Sequence, residues 1–193
     1  MKPRLASAIL VSLLLAAACV GGTRLHATTL LRLNLEQLAR AADAVARVRC
    51  TETAGYTEQG TVWTRTEFAV IERLKGSPPT QVTVRLPGGR AGHIVVSIEA
   101  VPRFRAGEEG VLFLEKLPAG DYSVTAWALG SFRIRRNDRT GGETITQDSS
   151  ALAVFDPSSR RFVTEGIREL PLDEFRYRLD AAFRSAASEK SKP

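Results

Sequence analysis

The chain has 193 residues and a formal net charge of +6, and its basic residues mostly alternate with acidic ones. This length suits one domain with a sizeable core, and the sequence contains no internal repeat and no long linker. The strongest basic run lies between Arg133 and Arg139 and lacks the interleaved aromatic residues of a nucleic-acid site. A solvated surface of mixed charge is therefore favoured, and a nucleic-acid partner is excluded.

The first 27 residues have the layout of a secretory signal peptide. Lys2 and Arg4 form a basic start, residues 5–20 form an apolar run, and a short polar region with small residues follows. Loss of this segment removes Lys2, Arg4 and Arg24 but no acidic residue, which lowers the formal net charge from +6 to +3. We therefore predict an exported protein, secreted or periplasmic.

Two cleavage sites compete at the end of this segment. Cleavage after Ala27 leaves Thr28 as the new N-terminus, and this is the site that we favour. Cleavage before Cys19, in the sequence LAAAC, would instead make Cys19 the lipid-bearing first residue of an envelope lipoprotein. Contact with the membrane is thus expected only through the signal peptide or a lipid anchor.

Cysteine and histidine usage argues against a disulfide and against a structural metal. If Cys19 leaves with the signal peptide, Cys50 is the only cysteine and cannot form an intramolecular disulfide. His93 is likewise the only histidine once His26 is removed, and one residue of each type cannot form a usual zinc site. We expect Cys50 to be a buried strand residue, and we predict no metal and no cofactor.

The first predicted elements are a short helix and two strands. Asn34 is the expected N-cap, with Gln37 three residues later as in a capping box. A strand-like pattern then runs from Ala44 to Cys50. Residues 61–76 are rich in β-branched and aromatic residues and end at a glycine, which predicts a long strand.

The middle of the chain predicts a series of strands. Residues 81–86 alternate apolar and polar side chains, so one face is buried and the other is wet. Further strands are expected within residues 93–98, 109–117 and 121–136. Val111 to Leu114 are apolar on both faces, as in a central strand.

The last third predicts two turns and a helix. The Asn, Asp and Gly content of residues 137–143 predicts a hairpin turn. These residues also offer oxygen donors for calcium, but they do not form an EF-hand loop, so we favour a plain turn. Residues 155–163 suggest one more short hairpin. Leu172, Phe175, Leu179 and Phe183 share one face of an amphipathic helix. Residues 28–186 are thus expected to form one mainly β barrel domain with this helix, followed by a polar tail at residues 187–193.

A stretch at residues 74–93, LKGSPPTQVTVRLPGGRAGH, is the nearest approach to a phosphate-binding loop. The order Lys75-Gly76-Ser77 is reversed from that of a P-loop, and prolines and a strand follow it. PGGRAG also lacks the Gly-x-Gly-x-x-Gly pattern of dinucleotide sites. We therefore interpret the stretch as two turns around one strand.

The second of these turns is the candidate partner loop. Gly88, Gly89, Arg90 and His93 either contact a partner or serve only a backbone that must turn sharply. The conformational freedom of glycine is sufficient to explain them, so we favour the backbone role.

Catalytic patterns are weak, and we predict no catalytic residue. No Gly-x-Ser-x-Gly elbow accompanies His93, so a triad is not expected. Glu108 and Glu109 are adjacent and would point to opposite faces of a strand, which makes them a poor carboxylate pair. Other core carboxylates are Glu115, Glu143 and Asp148, and an uncharacterised hydrolase that uses them stays an alternative.

A family resemblance covers residues 30 to 136. The strings TRTEFAVIERLKGS, QVTVRLPGG, VPRFRAGEEGVLFL and LGSFRI resemble a group of uncharacterised exported bacterial proteins. That group shares a short helix followed by KG, PGG, P-x-F-x-x-GE-x-x-LFL and G-x-F signatures, and some members are associated with matrixin-like metalloproteases. The resemblance implies an exported domain that works beside a protease.

A more distant resemblance is to the netrin-like domain of tissue inhibitors of metalloproteinases. It implies an OB-fold-like five-stranded antiparallel barrel with helices beside it. Those inhibitors carry disulfides and use an N-terminal cysteine to reach the protease zinc, whereas Thr28 is the favoured N-terminus here and Cys50 stands alone. The fold is expected to carry over without that inhibitory mechanism. We therefore expect a non-enzymatic interaction module, with an exported protein such as a protease as its partner.

Overall fold

A computed structural model describes residues 30–137 and 139–190. The predicted signal peptide, Cys19 and the bond between Ala27 and Thr28 lie outside these residues. No helix within the described residues is long and apolar enough to span a membrane.

The described chain contains two α-helices, twelve strands and two short 3-10 turns. The helices are α1 (Leu35–Ala41) and α2 (Leu172–Lys190). The strands are β1 (Ala44–Glu58), β2 (Thr61–Lys75), β3 (Gln81–Pro87), β4 (Gly89–Ala91), β5 (Ile94–Val96), β6 (Glu109–Lys116), β7 (Tyr122–Val124), β8 (Ser131–Arg136), β9 (Glu143–Gln147), β10 (Val154–Asp156), β11 (Arg161–Val163) and β12 (Leu170–Pro171). The 3-10 turns span Trp127–Gly130 and Asp148–Ala151.

Five strands close into a ring, in the order β1, β2, β3, β7, β6 and back to β1. Neighbouring strands are antiparallel except β3 and β7, which run parallel and meet at Val84 and Tyr122. On the far side of β6 the sheet continues through β8, β9 and β12. The predicted mainly β, barrel-like domain with an N-terminal and a C-terminal helix is confirmed.

Strand β6 separates two hydrophobic cores. Leu112 and Leu114 pack in the core that lies inside the ring, with Val48, Phe68, Val84 and other ring residues. Val111 and Phe113 pack in a second core against the two helices. Because β6 is covered on both faces, its apolar run is continuous, as predicted for a central strand.

The second core is closed by α1 and α2. Leu172, Phe175 and Leu179 are buried there, and Phe183 packs against them, which confirms the predicted amphipathic face. Helix α2 continues to Lys190, so the first residues of the predicted polar tail are helical. The ring of Phe132 lies 5.1 Å from that of Phe175, which ties the helix to β8.

Helix α1 begins and ends at residues that satisfy its free backbone groups. Asn34 Oδ1 accepts a hydrogen bond from Gln37 N at 2.8 Å, and Gln37 Oε1 accepts one from Asn34 N at 2.9 Å, so the capping box is confirmed. At the other end, Lys75 Nζ donates to the carbonyl oxygens of Ala39 and Ala42. The lysine of the KG signature therefore caps a helix C-terminus, where a cation is favoured.

Two predicted strands differ from the structure. The one expected at residues 121–136 is broken between β7 and β8 by the first 3-10 turn, with Ala126 and Trp127 at φ values of 50° and 53°. A Cβ on Gly130 would overlap the carbonyl oxygen of Thr125, so the chain turns tightly here. The strand expected at residues 93–98 is only β5, which forms an exposed hairpin with β4.

Candidate functional site

The candidate partner loop lies at the start of the β4–β5 hairpin. Gly88 and Gly89 have φ values of 76° and 121°, in the region that favours glycine. A Cβ on Gly88 would lie 2.8 Å from the carbonyl oxygen of Val96, and a Cβ on Gly89 would overlap Thr64 Oγ1. The backbone conformation alone thus requires both glycines.

The other two loop residues lie on the same hairpin. Arg90 is exposed on β4, and its carbonyl oxygen occupies the space that a Cβ on Gly55 would fill. His93 is exposed in the turn between β4 and β5, beside the exposed apolar residues of β5. The structure does not bring this histidine together with the core carboxylates.

A denser set of charged side chains surrounds the projecting end of β8. Strand β6 pairs with β8 only from Ser131 to Arg133, whereas β8 continues to Arg136. Two adjoining grooves of about 430 Å³ each flank this end, and both are lined by Glu108, Glu109 and Ile134. We call this surface the arginine face, because its two grooves are lined by seven arginines and four carboxylates. The arginines are Arg47, Arg49, Arg103, Arg105, Arg133, Arg135 and Arg136, and the carboxylates are Glu108, Glu109, Glu143 and Asp148.

The first groove, which we call the Arg47 groove, has a fully paired centre. Arg47 donates two hydrogen bonds to Glu143, at 3.0 and 2.9 Å, and two to Glu109, the shorter at 2.8 Å. Arg49 also binds Glu109, and Arg136 binds Glu143. Arg47 thereby joins the ring to the β8–β9 extension, and its side chain is only 15% exposed.

These ion pairs hold both carboxylates in the ionised form. Burial opposes the charge on Glu109, but the hydrogen bonds from Arg47 and Arg49 outweigh it and lower the pKa of Glu109. The hydrogen bond from Arg47 likewise lowers the pKa of Glu143, and the same bond raises the pKa of Arg47. A general acid needs a raised carboxyl pKa, so these two groups are poorly suited to that task.

The second groove, which we call the Arg133 groove, is built around one stacked arginine. Arg133 Nε lies 2.9 Å from Asp148 Oδ1, and its terminal nitrogens bind Glu108 and the carbonyl oxygen of Arg103. Its guanidinium carbon lies 4.5 Å from the centre of the Phe104 ring, which adds a cation–π contact. Every guanidinium nitrogen of Arg133 thus has a hydrogen-bond partner.

The guanidinium groups of three other arginines of this groove have no carboxylate partner within residues 30–137 and 139–190, although the backbone N of Arg105 donates to Glu108 Oε2 at 3.0 Å. Arg103 donates to Thr64 Oγ1 and to the carbonyl oxygen of Pro87, both at 3.2 Å, and burial lowers its pKa. Arg105 and Arg135 are exposed at the groove. The Arg133 groove therefore offers uncompensated positive charge, which favours an anionic ligand.

Four of the five carboxylates singled out in the sequence line the two grooves, and each of the four is bound by arginine. Glu108 binds Arg133, whereas Glu109 binds Arg47 and Arg49, so the two neighbours are held by different arginines although both line the two grooves. Glu143 and Asp148 join opposite grooves, and Glu115 lies on β6 outside both. Within the described residues, no group of three or more histidine, cysteine and acidic side chains is placed to hold a metal ion.

Cys50 is a buried residue of β1, as predicted. Its side chain packs in the core inside the ring, and Sγ lies 3.8 Å from the carbonyl oxygen of Glu52. Burial raises the pKa of this thiol, which disfavours the reactive thiolate.

Sequence reasoning found part of the arginine face and missed the rest. The run from Arg133 to Arg139 includes three residues of the face, but Arg47 and Arg49 on β1 and the residues around Arg103 were not connected with it. The alternation in VARVRC, with Arg47 and Arg49 opposite buried Val48 and Cys50, was the available signal. A comparison of the chain with protein-family models and with curated proteins finds no match.

Proposed function

We propose that this protein is an exported, non-enzymatic interaction module of the bacterial envelope or extracellular space, with an exported protein such as a protease as its partner. The observation that carries the proposal is the arginine face. Its central carboxylates are neutralised by arginines, while the guanidinium groups of Arg105 and Arg135 at the groove have no acidic partner in the described chain. Such a surface is suited to binding an anionic group.

The fold supports the same reading. A ring of five strands with a parallel β3–β7 pair and flanking helices fits an OB-fold, to which we assign it, and that fold serves widely as a binding scaffold. The resemblance to exported bacterial proteins, and more distantly to netrin-like domains, adds the exported compartment and the protease partner. The structure offers no support for an inhibitory cysteine, because Cys50 is buried.

Affinity capture tests this proposal. The purified exported chain is immobilised and incubated with secreted and envelope fractions, and each retained protein is identified and assayed for proteolysis with and without the chain. We expect one co-exported protein to be retained at a fixed stoichiometry. Retention of no co-exported protein, together with unchanged proteolysis in both fractions, would contradict the proposal.

The two alternatives predict other results. A lipid-anchored envelope protein would show a diacylated Cys19 at its mature N-terminus, which mass spectrometry of the intact protein detects. A hydrolase that uses core carboxylates would lose a measurable activity on peptides or glycans when one of Glu109, Glu115, Glu143 or Asp148 is replaced. Such a loss, with the fold intact by circular dichroism, would replace the binding proposal with an enzymatic one.

A further inference from the structure

The backbone edge of β8 is the second unusual feature of the arginine face. From Ile134 to Arg136 the strand is paired with β9 on one side, at Ile145, Thr144 and Glu143. On its other side, pairing with β6 ends at Arg133, and no strand of the described chain continues it. A free strand edge presents unpaired N–H and C=O groups that can pair with another extended chain.

The free edge lies where the two grooves meet. Ile134 lines both grooves, Arg135 lines the Arg133 groove, and Arg136 lines the Arg47 groove. Successive side chains of an extended segment point to opposite faces, so a strand laid along this edge would direct alternate side chains into the two grooves. A backbone edge and two flanking grooves together match the way in which extended peptides add to a sheet.

The charges of the Arg133 groove indicate which kind of peptide would bind along the edge of β8. The guanidinium groups of Arg103, Arg105 and Arg135 have no carboxylate partner in the part of the chain that the structure describes. A guanidinium matches the geometry of a carboxylate and can bind it through two parallel hydrogen bonds. A basic peptide would meet these uncompensated positive charges, and an apolar one would leave them unused.

We propose that the edge of β8 from Ile134 to Arg136 binds an extended, acidic peptide segment of the partner, which adds as a strand and places carboxylates against Arg105 and Arg135. This inference rests on the proposed function, since it names the chemistry by which the partner is recognised. It also gives the Arg47 and Arg133 ion pairs a positioning role, because they fix the end of β8 relative to β6.

Fluorescence polarisation with defined peptides tests the inference on the full exported chain. The probe is a short labelled peptide in which glutamate alternates with threonine, and its matched control carries glutamine in place of glutamate. We expect the glutamate peptide to bind and the glutamine peptide to bind at least about tenfold more weakly, because charge-assisted hydrogen bonds are lost. Equal binding of the two peptides would overturn the acidic assignment.

Matched variants then locate the site. Arg105→Gln and Arg135→Gln should each weaken binding of the glutamate peptide by about tenfold. The controls Arg161→Gln on β11 and Arg184→Gln on α2 remove the same charge from exposed positions that line neither groove, and should change binding less than about twofold, since exposed charges outside the grooves are screened by salt. Equal losses in all four variants would show a non-specific charge effect and overturn the site.

Strand addition is tested separately through the peptide backbone. A glutamate peptide with N-methyl groups at alternate residues keeps its charges but loses the backbone N–H donors along one of its two edges. We expect this peptide to bind much more weakly when the methylated edge faces β8. Two such peptides, methylated at odd or at even positions, cover both edges. If both bind as tightly as the parent peptide, strand addition is overturned.

The captured partner separates this inference from the proposed function. If the wild-type chain retains a co-exported protein and the double variant Arg105→Gln/Arg135→Gln does not retain it, the proposed function and the acidic-strand inference are both supported. If the double variant retains the protein as strongly as wild type, the interaction module stands and the acidic-strand inference fails. If wild-type chain retains no such protein, the proposed function itself fails.

Discussion

The two grooves of the arginine face use the same residue type in opposite ways. In the Arg47 groove, one largely buried guanidinium is shared between Glu109 and Glu143, so its charge holds the ring to the β8–β9 extension. In the Arg133 groove, the guanidinium groups of Arg105 and Arg135 have no acidic partner in the described chain. The comparison separates arginines that stabilise the fold from arginines that are available to a ligand.

Removal of Arg47 should give the largest effect. Arg47→Ala leaves Glu109 and Glu143 close together with no shared counter-charge, so we expect the free energy of unfolding to fall by about 3 kcal/mol. Urea denaturation followed by circular dichroism measures this loss. Arg49→Ala is the control, because Arg49 is 57% exposed and should cost about 0.5 kcal/mol. Equal losses in both variants would mean that Arg47 has no special structural role.

Removal of Arg133 should give the next largest effect. Arg133→Ala breaks the ion pairs with Glu108 and Asp148 and removes the cation–π contact with Phe104, which together predict a loss of about 2 kcal/mol. Arg133→Lys keeps the charge but not the planar stacking and branched hydrogen bonding, so it should recover only part of the stability. Full recovery by lysine would show that charge alone matters at this position.

Acid should weaken the Arg47 groove through its two glutamates. The pKa values of Glu109 and Glu143 are lowered in the folded chain, so their contribution is fully present above the ordinary glutamate range and is lost as the pH falls through the lowered values. We expect the free energy of unfolding, measured by urea denaturation, to fall as the pH drops below the ordinary glutamate range. The double variant Glu109→Gln/Glu143→Gln should show a smaller fall over this range, and an unchanged fall would assign the acid sensitivity to other carboxylates.

The fold could be predicted from the sequence more fully than the ion pairs of the arginine face. Local patterns were enough for the capping box at Asn34, the alternation of β3 and the two-sided burial of β6, because each depends on neighbours a few residues apart. The break between β7 and β8 was missed, since Ala126 and Trp127 adopt positive φ values that no local sequence signal indicates. Backbone hydrogen bonds to distant residues hold that turn, from Thr125 N to the carbonyl oxygen of Phe113 and from Ala128 N to that of Ala100.

The arginine face depends on contacts between distant parts of the chain. Arg47 and Glu143 are separated by 96 residues, and Arg133 and Glu108 by 25. Hydrophobic periodicity can place Arg47 on the outer side of β1. It does not indicate which carboxylates the closed ring and the β8–β9 extension bring beside this arginine. The sequence run from Arg133 to Arg139 was visible, whereas its division between two grooves follows from where β6 stops pairing with β8.

The smallest stability effect is expected at the arginines that matter most for binding. Arg135→Gln removes an exposed charge with no ion-pair partner in the described chain, so the free energy of unfolding should change by less than about 0.5 kcal/mol. The same substitution should weaken binding of the acidic peptide about tenfold. Urea denaturation and peptide titration on one preparation measure both quantities. A large loss of stability would place Arg135 with Arg47 as a residue that holds the fold, and the distinction between the grooves would disappear.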